Sequence, residues 1–166
     1  MMVRLVLIGM MLVLAACASG GSGPNARVET PETASMSRLG SDEVLSHISA
    51  LPAQVLSAGE CGLFLWLKRD DAPLIFFQRS KSETAQMIID GAPRSLARTE
   101  VAGPIGMSFF ERQGFTAEDM TVNLRMQVMM DQSLQGGLKV PSGIISIDRT
   151  DGWSAALPVA GAIGCK

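Results

Sequence analysis

The sequence contains no tyrosine and a single histidine, His47. Because catalytic triads and zinc sites usually combine a histidine with matched partners, any such site would depend on His47 alone. Charged residues are also few and nearly balanced, with 14 Lys and Arg against 16 Asp and Glu. A nucleic-acid-binding domain normally carries a basic patch, so we expect no nucleic-acid partner. We expect His47 to be a surface or packing residue.

The apolar run near the start of the chain is short. Arg4 precedes ten uncharged residues, 5–14, and the small residues Ala15 and Ala16 follow. This order of positive, apolar and small residues is typical of a secretory signal. The run is too short to favour a membrane-spanning helix, which needs roughly 20 residues. At this point an ordinary signal peptide cut after Ala16 and a short membrane anchor both stay open.

The residues at the end of this segment carry a more specific pattern. Leu14, Ala15, Ala16 and Cys17 resemble the cleavage box of bacterial lipoproteins, in which leucine and small residues precede a cysteine. The resemblance implies a mature chain that begins at Cys17, with diacylglycerol on its sulfur and an acyl group on its amine. Each buried methylene contributes about 0.8 kcal/mol, so two or three such chains would anchor the protein stably in a membrane. We expect no other cofactor.

The residue after the cysteine bears on location. In many Gram-negative lipoproteins, an aspartate at that position retains the protein at the inner membrane. Ala18 stands there in this sequence. The resemblance therefore implies an exported protein that is lipid-anchored at the periplasmic face of the outer membrane.

The chain divides into three predicted parts. Residues 1–16 form the signal peptide, residues 17–40 form a lipidated tether, and residues 41–166 form the folded domain. The tether is rich in Ala, Ser, Gly, Thr and Pro and has no periodic apolar pattern, which is typical of a flexible linker.

Cysteine is scarce, and its odd count is informative. The three cysteines are Cys17, Cys61 and Cys165. An odd number in an exported protein usually means one leftover thiol, and lipid on Cys17 would account for it. The periplasm is oxidising, so we expect Cys61 and Cys165 to form a disulfide that closes nearly the whole domain. Two buried free thiols are the alternative, since spacing alone does not show that the sulfurs meet.

The folded domain carries mainly β signals. From Cys61 onward, short runs of apolar and aromatic residues are separated by turn signals, of which Asp90-Gly91 is a strong hairpin turn. Strands are predicted at 63–67, 74–78, 85–89, 96–101, 107–115, 122–130, 144–148 and 153–159, with a short pairing at 139–140. A short helix is predicted to begin at Ser41 and to end before Pro52. The pattern predicts a mainly β domain, a single small antiparallel barrel or sandwich of about eight strands.

Two pairs of adjacent acidic residues and the two tryptophans are expected to have structural rather than catalytic roles. Asp70-Asp71 and Glu118-Asp119 lie at predicted turns, where solvated acids are expected. An acid–base pair would instead need two carboxyls that face one cleft. Trp66 and Trp153 are expected to pack in the core, although either could line a ligand pocket. We therefore predict no catalytic residue.

The methionines of residues 120–130 and the glycines near the C-terminus are also expected to have packing roles. Met126 and Met130 are expected to share the apolar face of one strand, so the methionines at 120, 126, 129 and 130 should fill gaps in the core. Copper binding through thioethers is the alternative, but no histidine or cysteine joins the cluster, and we predict no metal site. Gly161 and Gly164 are expected to let the chain approach Cys165 closely.

The sequence favours a non-enzymatic role. The lipid anchor, the tether and the absence of a catalytic motif lead us to expect a structural or binding protein of the cell envelope, with another envelope protein or peptidoglycan as its partner. An envelope enzyme of unrecognised type remains an alternative, which would need a polar cleft with converging acids.

A second resemblance supplies a further alternative. Residues 87–91, Met-Ile-Ile-Asp-Gly, followed by Leu96, Ala97, Arg98 and a small-residue stretch that ends at Gly103, are similar to a segment of the c-type lysozyme-inhibitor lipoproteins. That family consists of small disulfide-bonded β-barrels. The resemblance covers about twenty residues, and it implies a lysozyme inhibitor without assigning any site residue.

Overall fold

The described part of the protein is the folded domain. The computed structural model describes residues 41–131, 134 and 136–166. The predicted signal peptide, the predicted tether and Cys17 lie outside these residues. Among the described residues, no helix has the length and apolar character needed to cross a membrane.

One short helix and nine strands follow one another along the described residues. Helix α1 spans Ser41–His47. The strands are β1 Ile48–Ser49, β2 Cys61–Leu67, β3 Leu74–Arg79, β4 Thr84–Ile89, β5 Ala92–Gly106, β6 Phe109–Ala117, β7 Met120–Met130, β8 Leu138–Arg149 and β9 Ser154–Cys165.

Strands β2 to β9 form a closed antiparallel barrel of eight strands. Each strand pairs with the next one along the chain, and β2 pairs with β9 to close the ring, from Cys61 opposite Cys165 to Leu67 opposite Val159. The predicted antiparallel β fold of about eight strands is confirmed, and its form is the barrel rather than the sandwich. Closure protects backbone groups that an open sheet would leave unpaired at its edges.

The hydrophobic core lies inside this barrel. Strand β7 alternates strictly between buried and exposed residues over its first eight positions, which places one face toward the interior. Phe76 of β3 and Phe115 of β6 meet across the barrel with their ring centroids 5.6 Å apart in an edge-to-face arrangement. An eight-stranded barrel is just wide enough for side chains to fill it, and the interior here is a packed core.

The two ends of the barrel differ. At one end, which we name the disulfide rim, Cys61 and Cys165 lie beside the turns at 80–83 and 107–108. At the other end, which we name the plug rim, are the turns at 68–73, 90–91, 118–119 and 150–153, and helix α1 contacts Asp90 and Trp153 there through His47. Val44 and Leu45 of α1 pack against the core, so the helix covers this end of the barrel.

Strand β1 fills a gap in the barrel wall. β3 and β4 pair at only two positions, Phe77 with Gln86 and Gln78 with Ala85. Where they diverge, Ile48 of β1 pairs with Ile89 of β4, and Leu51 N donates to the Leu74 carbonyl of β3 at 2.7 Å. The segment after α1 therefore replaces β3 as the neighbour of β4 near the plug rim.

Several predicted boundaries are wrong. The helix ends at His47, and Ile48, which lies within the predicted helical segment, begins β1. Met107 and Ser108 form a tight turn with φ of 54° and 65°, so the predicted strand at 107–115 begins only at Phe109. Residues 138–149 form one strand, because a bulge between Val140 and Gly143 accommodates Pro141 without ending the pairing.

Candidate functional site

The predicted disulfide joins the strands that close the barrel. Cys61 and Cys165 are directly opposite each other on β2 and β9, with their Cα atoms 4.0 Å apart, and their sulfurs are bonded. Lys166 N donates to the Glu60 carbonyl at 3.0 Å next to them, which makes the cysteines a non-hydrogen-bonded pair. Side chains approach most closely at such positions, so the register itself brings the two sulfurs together.

The barrel interior contains no charged side chain among the described residues. Its buried polar side chains are Gln78 and Gln113, which are 1% and 2% exposed. Their amide groups have no hydrogen-bond partner among the described protein atoms. Each lies two positions along its strand from a phenylalanine of the Phe76–Phe115 contact, on the side of the disulfide rim. The interior is therefore apolar apart from these two amides.

A cluster of charged and aromatic residues, the rim cluster, joins the plug rim to α1. It consists of His47, Asp90, Asp119, Arg149, Asp151 and Trp153. His47 Nδ1 donates to Asp90 Oδ1 at 2.5 Å, and Arg149 Nη1 donates to Asp90 Oδ2 at 2.7 Å. Arg149 Nη2 lies 3.1 Å from Asp151 Oδ2 and 3.7 Å from Asp119 Oδ2. The carboxylates thus converge on a guanidinium, and each partly offsets its charge.

The environment of His47 indicates a structural role. Its ring packs against Trp153 with centroids 5.0 Å apart, and its Nδ1 is held by Asp90. Among the described residues, no hydroxyl or thiol hydrogen-bonds its ring, and no group of three His, Cys, Asp or Glu residues could hold a metal ion. A nucleophile beside the base would be needed for triad chemistry. The rim cluster instead fixes the end of α1 to the turns at 90–91 and 150–153.

The backbone supports the same attachment. Asp90 N donates to the His47 carbonyl at 2.8 Å, so residue 90 holds both the main chain and the side chain of residue 47. Asp90 and Gly91 have φ of 53° and 71°, as the predicted hairpin turn requires. The hydrogen bond from His47, followed by the charge of Arg149, holds the pKa of Asp90 below its usual value.

We expect Asp90 to stabilise the fold at neutral pH and to lose this effect in acid. A carboxyl with a lowered pKa in the folded state adds stability above its unfolded pKa of about 3.9, and this stability disappears as the pH falls through the folded value. Asp90→Asn should therefore lower the free energy of unfolding by about 1 kcal/mol near pH 7, the upper end for exposed ion pairs. The difference from the wild type should shrink below about pH 4. Thermal unfolding between pH 7 and pH 2.5 measures it.

Asp70→Asn is the matched control for that experiment. Asp70 is exposed, and it has no ion pair within the described part of the chain. Its replacement should leave the pH profile of stability unchanged. An Asp90→Asn profile that runs parallel to the wild type down to pH 2.5 would contradict the role assigned to Asp90.

The acid pair Asp70-Asp71 and the two tryptophans lie outside the barrel interior. Asp70 and Asp71 lie in the turn after β2, where Arg69 Nε contacts Asp71. Trp66 is on the outer side of β2 and stacks on Phe64 at 6.1 Å. Trp153 precedes β9 and packs against the core from the plug rim. The expectation of core packing is therefore wrong for Trp66, whereas Trp153 does pack against the core.

The structure separates the four methionines. Met120 and Met126 are buried on the inner face of β7 and are six positions apart along it. Met129 and Met130 are 52% and 88% exposed, because the pairing shifts between Gln127 and Met129. The expectation that Met130 shares the apolar face is therefore wrong, and these sulfur atoms do not form one cluster.

A groove on the outer wall was missed from the sequence. The arginine groove is lined by Glu100, Arg112, Gly114, Asn123 and Arg125, among others, and encloses an empty volume of about 460 Å³ that includes open solvent. Arg112 of β6 lies directly opposite Arg125 of β7, and Gly114 lies directly opposite Asn123. Both arginines are exposed, and neither has an ion-pair partner among the described residues.

This chain was compared with protein-family models, curated proteins and solved structures. No family model, no curated protein and no solved structure matches it.

Proposed function

We propose that this protein is an exported lipoprotein, anchored through lipid on Cys17 at the periplasmic face of the outer membrane, with a non-enzymatic binding role in the cell envelope. The observation that carries the binding role is the contrast between the inside and the outside of the barrel. The interior is filled by hydrophobic side chains, whereas the outer wall presents two unpaired arginines beside a groove. A partner such as an envelope protein or peptidoglycan would meet the wall.

Two features support export and anchoring. The order of residues before Cys17 resembles that of a lipoprotein signal. The Cys61–Cys165 disulfide is a bond that persists in oxidising compartments such as the periplasm. The domain has no need of its own membrane-binding surface if two or three acyl chains hold the protein.

We expect Cys17→Ser to release the protein from the membrane. The serine oxygen cannot take the place of the cysteine sulfur in the thioether, so the variant should lack the diacylglycerol. Cell fractionation should find the wild type in the membrane pellet and the variant outside it, or retained only with an uncut signal. Mass analysis of the N-terminal peptide should show lipid on the wild type alone.

Ala18→Ser is the matched control, because it changes the next residue and leaves the cysteine in place. This variant should remain in the membrane pellet. If Cys17→Ser, with its signal removed, stays with the membrane as the wild type does, the anchor lies elsewhere and the lipoprotein assignment fails.

A lysozyme inhibitor is the second candidate function. The observation that favours it is the position of the resembling segment, in which residues 87–89 belong to β4, residues 90–91 form its turn and residues 96–98 belong to β5 of a disulfide-bonded barrel. A lysis assay with c-type lysozyme and the purified full chain tests it. Undiminished lysis with protein at micromolar concentration would remove this candidate.

A further inference from the structure

The arginine groove has an unusual charge arrangement. Like charges directly opposite each other on neighbouring strands are destabilising, yet Arg112 and Arg125 occupy such a position. Three other arginines pair with carboxylates, namely Arg69, Arg79 and Arg149, whereas Arg94 and Arg98 have no ion pair among the described residues and are not opposite another arginine. The Arg112–Arg125 pair therefore concentrates two uncompensated positive charges at one place on the wall.

The lining of the groove includes one glycine, Gly114, at a position where a side chain would fit only tightly. Gly114 lies in the row next to the arginines, with Glu100 opposite it on β5 and Asn123 opposite it on β7. A Cβ atom at this position would lie 3.2 Å from Thr99 Oγ1 and 3.3 Å from Glu100 Cβ. The neighbouring side chains therefore approach closely over Gly114, and Glu100 and Asn123 line the groove beside the two arginines.

The neighbouring residues add polar and apolar surface. Ser146 of β8 lies opposite Asn123, which extends the polar row by a hydroxyl. Ile144 lies opposite Arg125 and is 52% exposed, so an apolar surface adjoins the charged pair. The wall thus combines two cations, amide and hydroxyl groups, and a small apolar patch across adjacent strands.

We propose that the arginine groove binds the anionic group of an envelope glycan, a phosphate or a carboxylate carried on a sugar. Guanidinium groups bind oxyanions through paired N–H donors, and two of them side by side suit one such group. The Asn123 amide and the Ser146 hydroxyl are partners for sugar hydroxyls, and Ile144 suits the apolar face of a sugar ring. The groove is a single pair of arginines on a chain of net charge −2, which does not suit nucleic acid.

Glu100 sets the selectivity of the groove. Its carboxylate lies on the same lining as the arginines and repels a bare anion. It can also accept a hydrogen bond from a sugar hydroxyl, which a bare anion lacks. We therefore expect anionic sugars to bind more tightly than inorganic phosphate. This proposal names a ligand class for the binding role proposed above, and it rests on that role.

The test is a titration of the full chain in nonionic detergent, in which binding is monitored through the NMR chemical shifts of the Gly114 and Asn123 amides. The probes are glucose 1-phosphate, glucuronate, glucose and inorganic phosphate. We expect saturable shifts with an anionic sugar and a dissociation constant of about 1 mM, as for two exposed charge-assisted contacts. Arg112→Gln and Arg125→Gln should each weaken binding about tenfold, the effect of one such contact. Saturation by only one of the two anionic sugars identifies the phosphate or the carboxylate as the ligand.

Two further variants separate this site from general charge effects. Arg69→Gln removes the same charge from an exposed arginine in the turn at 68–73, near the plug rim, and should leave binding unchanged. Glu100→Gln should tighten binding of inorganic phosphate about two- to threefold, the effect of removing one exposed repulsive charge. Both substitutions lie at exposed positions, and unchanged amide dispersion verifies the fold.

Several results would overturn the proposal. These are the absence of saturable shifts at Gly114 and Asn123, equal binding of neutral glucose, equal binding of inorganic phosphate, and an equal loss with Arg69→Gln. The titration needs no membrane, so its outcome is independent of the Cys17→Ser fractionation. Failure of the anchor and failure of the groove can therefore be told apart.

Discussion

Serine in place of both Cys61 and Cys165 should lower the free energy of unfolding by about 3 to 5 kcal/mol. The two cysteines are 104 residues apart, and a loop of about 100 residues corresponds to up to ~4.7 kcal/mol in the chain-entropy description. The bond also joins β2 to β9, the pairing that closes the barrel. Its loss should favour fraying of the C-terminal strand β9, which ends at Cys165.

Urea unfolding of the full chain, followed by circular dichroism, measures this loss. Adding a reductant to the wild type should lower its unfolding midpoint to that of the double-serine variant and should not shift the variant itself. Cys17→Ser is the matched control, because it replaces a cysteine and keeps the Cys61–Cys165 bond. A double-serine variant within about 0.5 kcal/mol of the wild type, the range of an ordinary surface change, would contradict the stabilising role.

The barrel strands were the most predictable part of the fold. β7 has one buried face and one exposed face, so period-two alternation shows in its sequence. β8 was predicted in two pieces, since Pro141 and Gly143 are turn residues. The backbone instead bulges there, and β8 continues as one strand because it pairs with β7 and β9 on both sides of the bulge. Strand β1 has only two residues, and long-range pairing with β4 alone creates it.

The candidate sites were less predictable, for two different reasons. The arginine pair had a sequence signal: counting outward from the two-residue turn Glu118-Asp119 places Arg112 opposite Arg125, because turn length fixes hairpin register. The rim cluster had none. His47 and Asp90 are 43 positions apart, and Asp90 and Arg149 are 59 apart. Only the closed barrel with its covering helix brings these residues together.

Two glycines near the C-terminus should respond differently to the same substitution, although both were expected to allow a close approach. Gly161 of β9 lies opposite Leu65 of β2 and opposite Val140 of β8. A Cβ atom at Gly161 would overlap the carbonyl oxygen of Phe64 and lie 2.8 Å from Leu65 Cδ2. At Gly164, nothing lies within 4 Å of an added Cβ. The close approach therefore occurs at Gly161.

Gly161→Ala should lower the free energy of unfolding by about 3 kcal/mol or more. Overpacking in a core costs about 1 to 3 kcal/mol when side chains can shift, and here the obstacle is the backbone of the paired strand. Gly164→Ala is the matched control, and it should be neutral or should stabilise the protein by up to about 1 kcal/mol, because alanine loses less backbone freedom than glycine. Thermal and urea unfolding of the two full-length variants provide the comparison. Equal stabilities for the two would mean that β2 and β9 are not packed this closely at Gly161, and the register that places Cys61 opposite Cys165 would need revision.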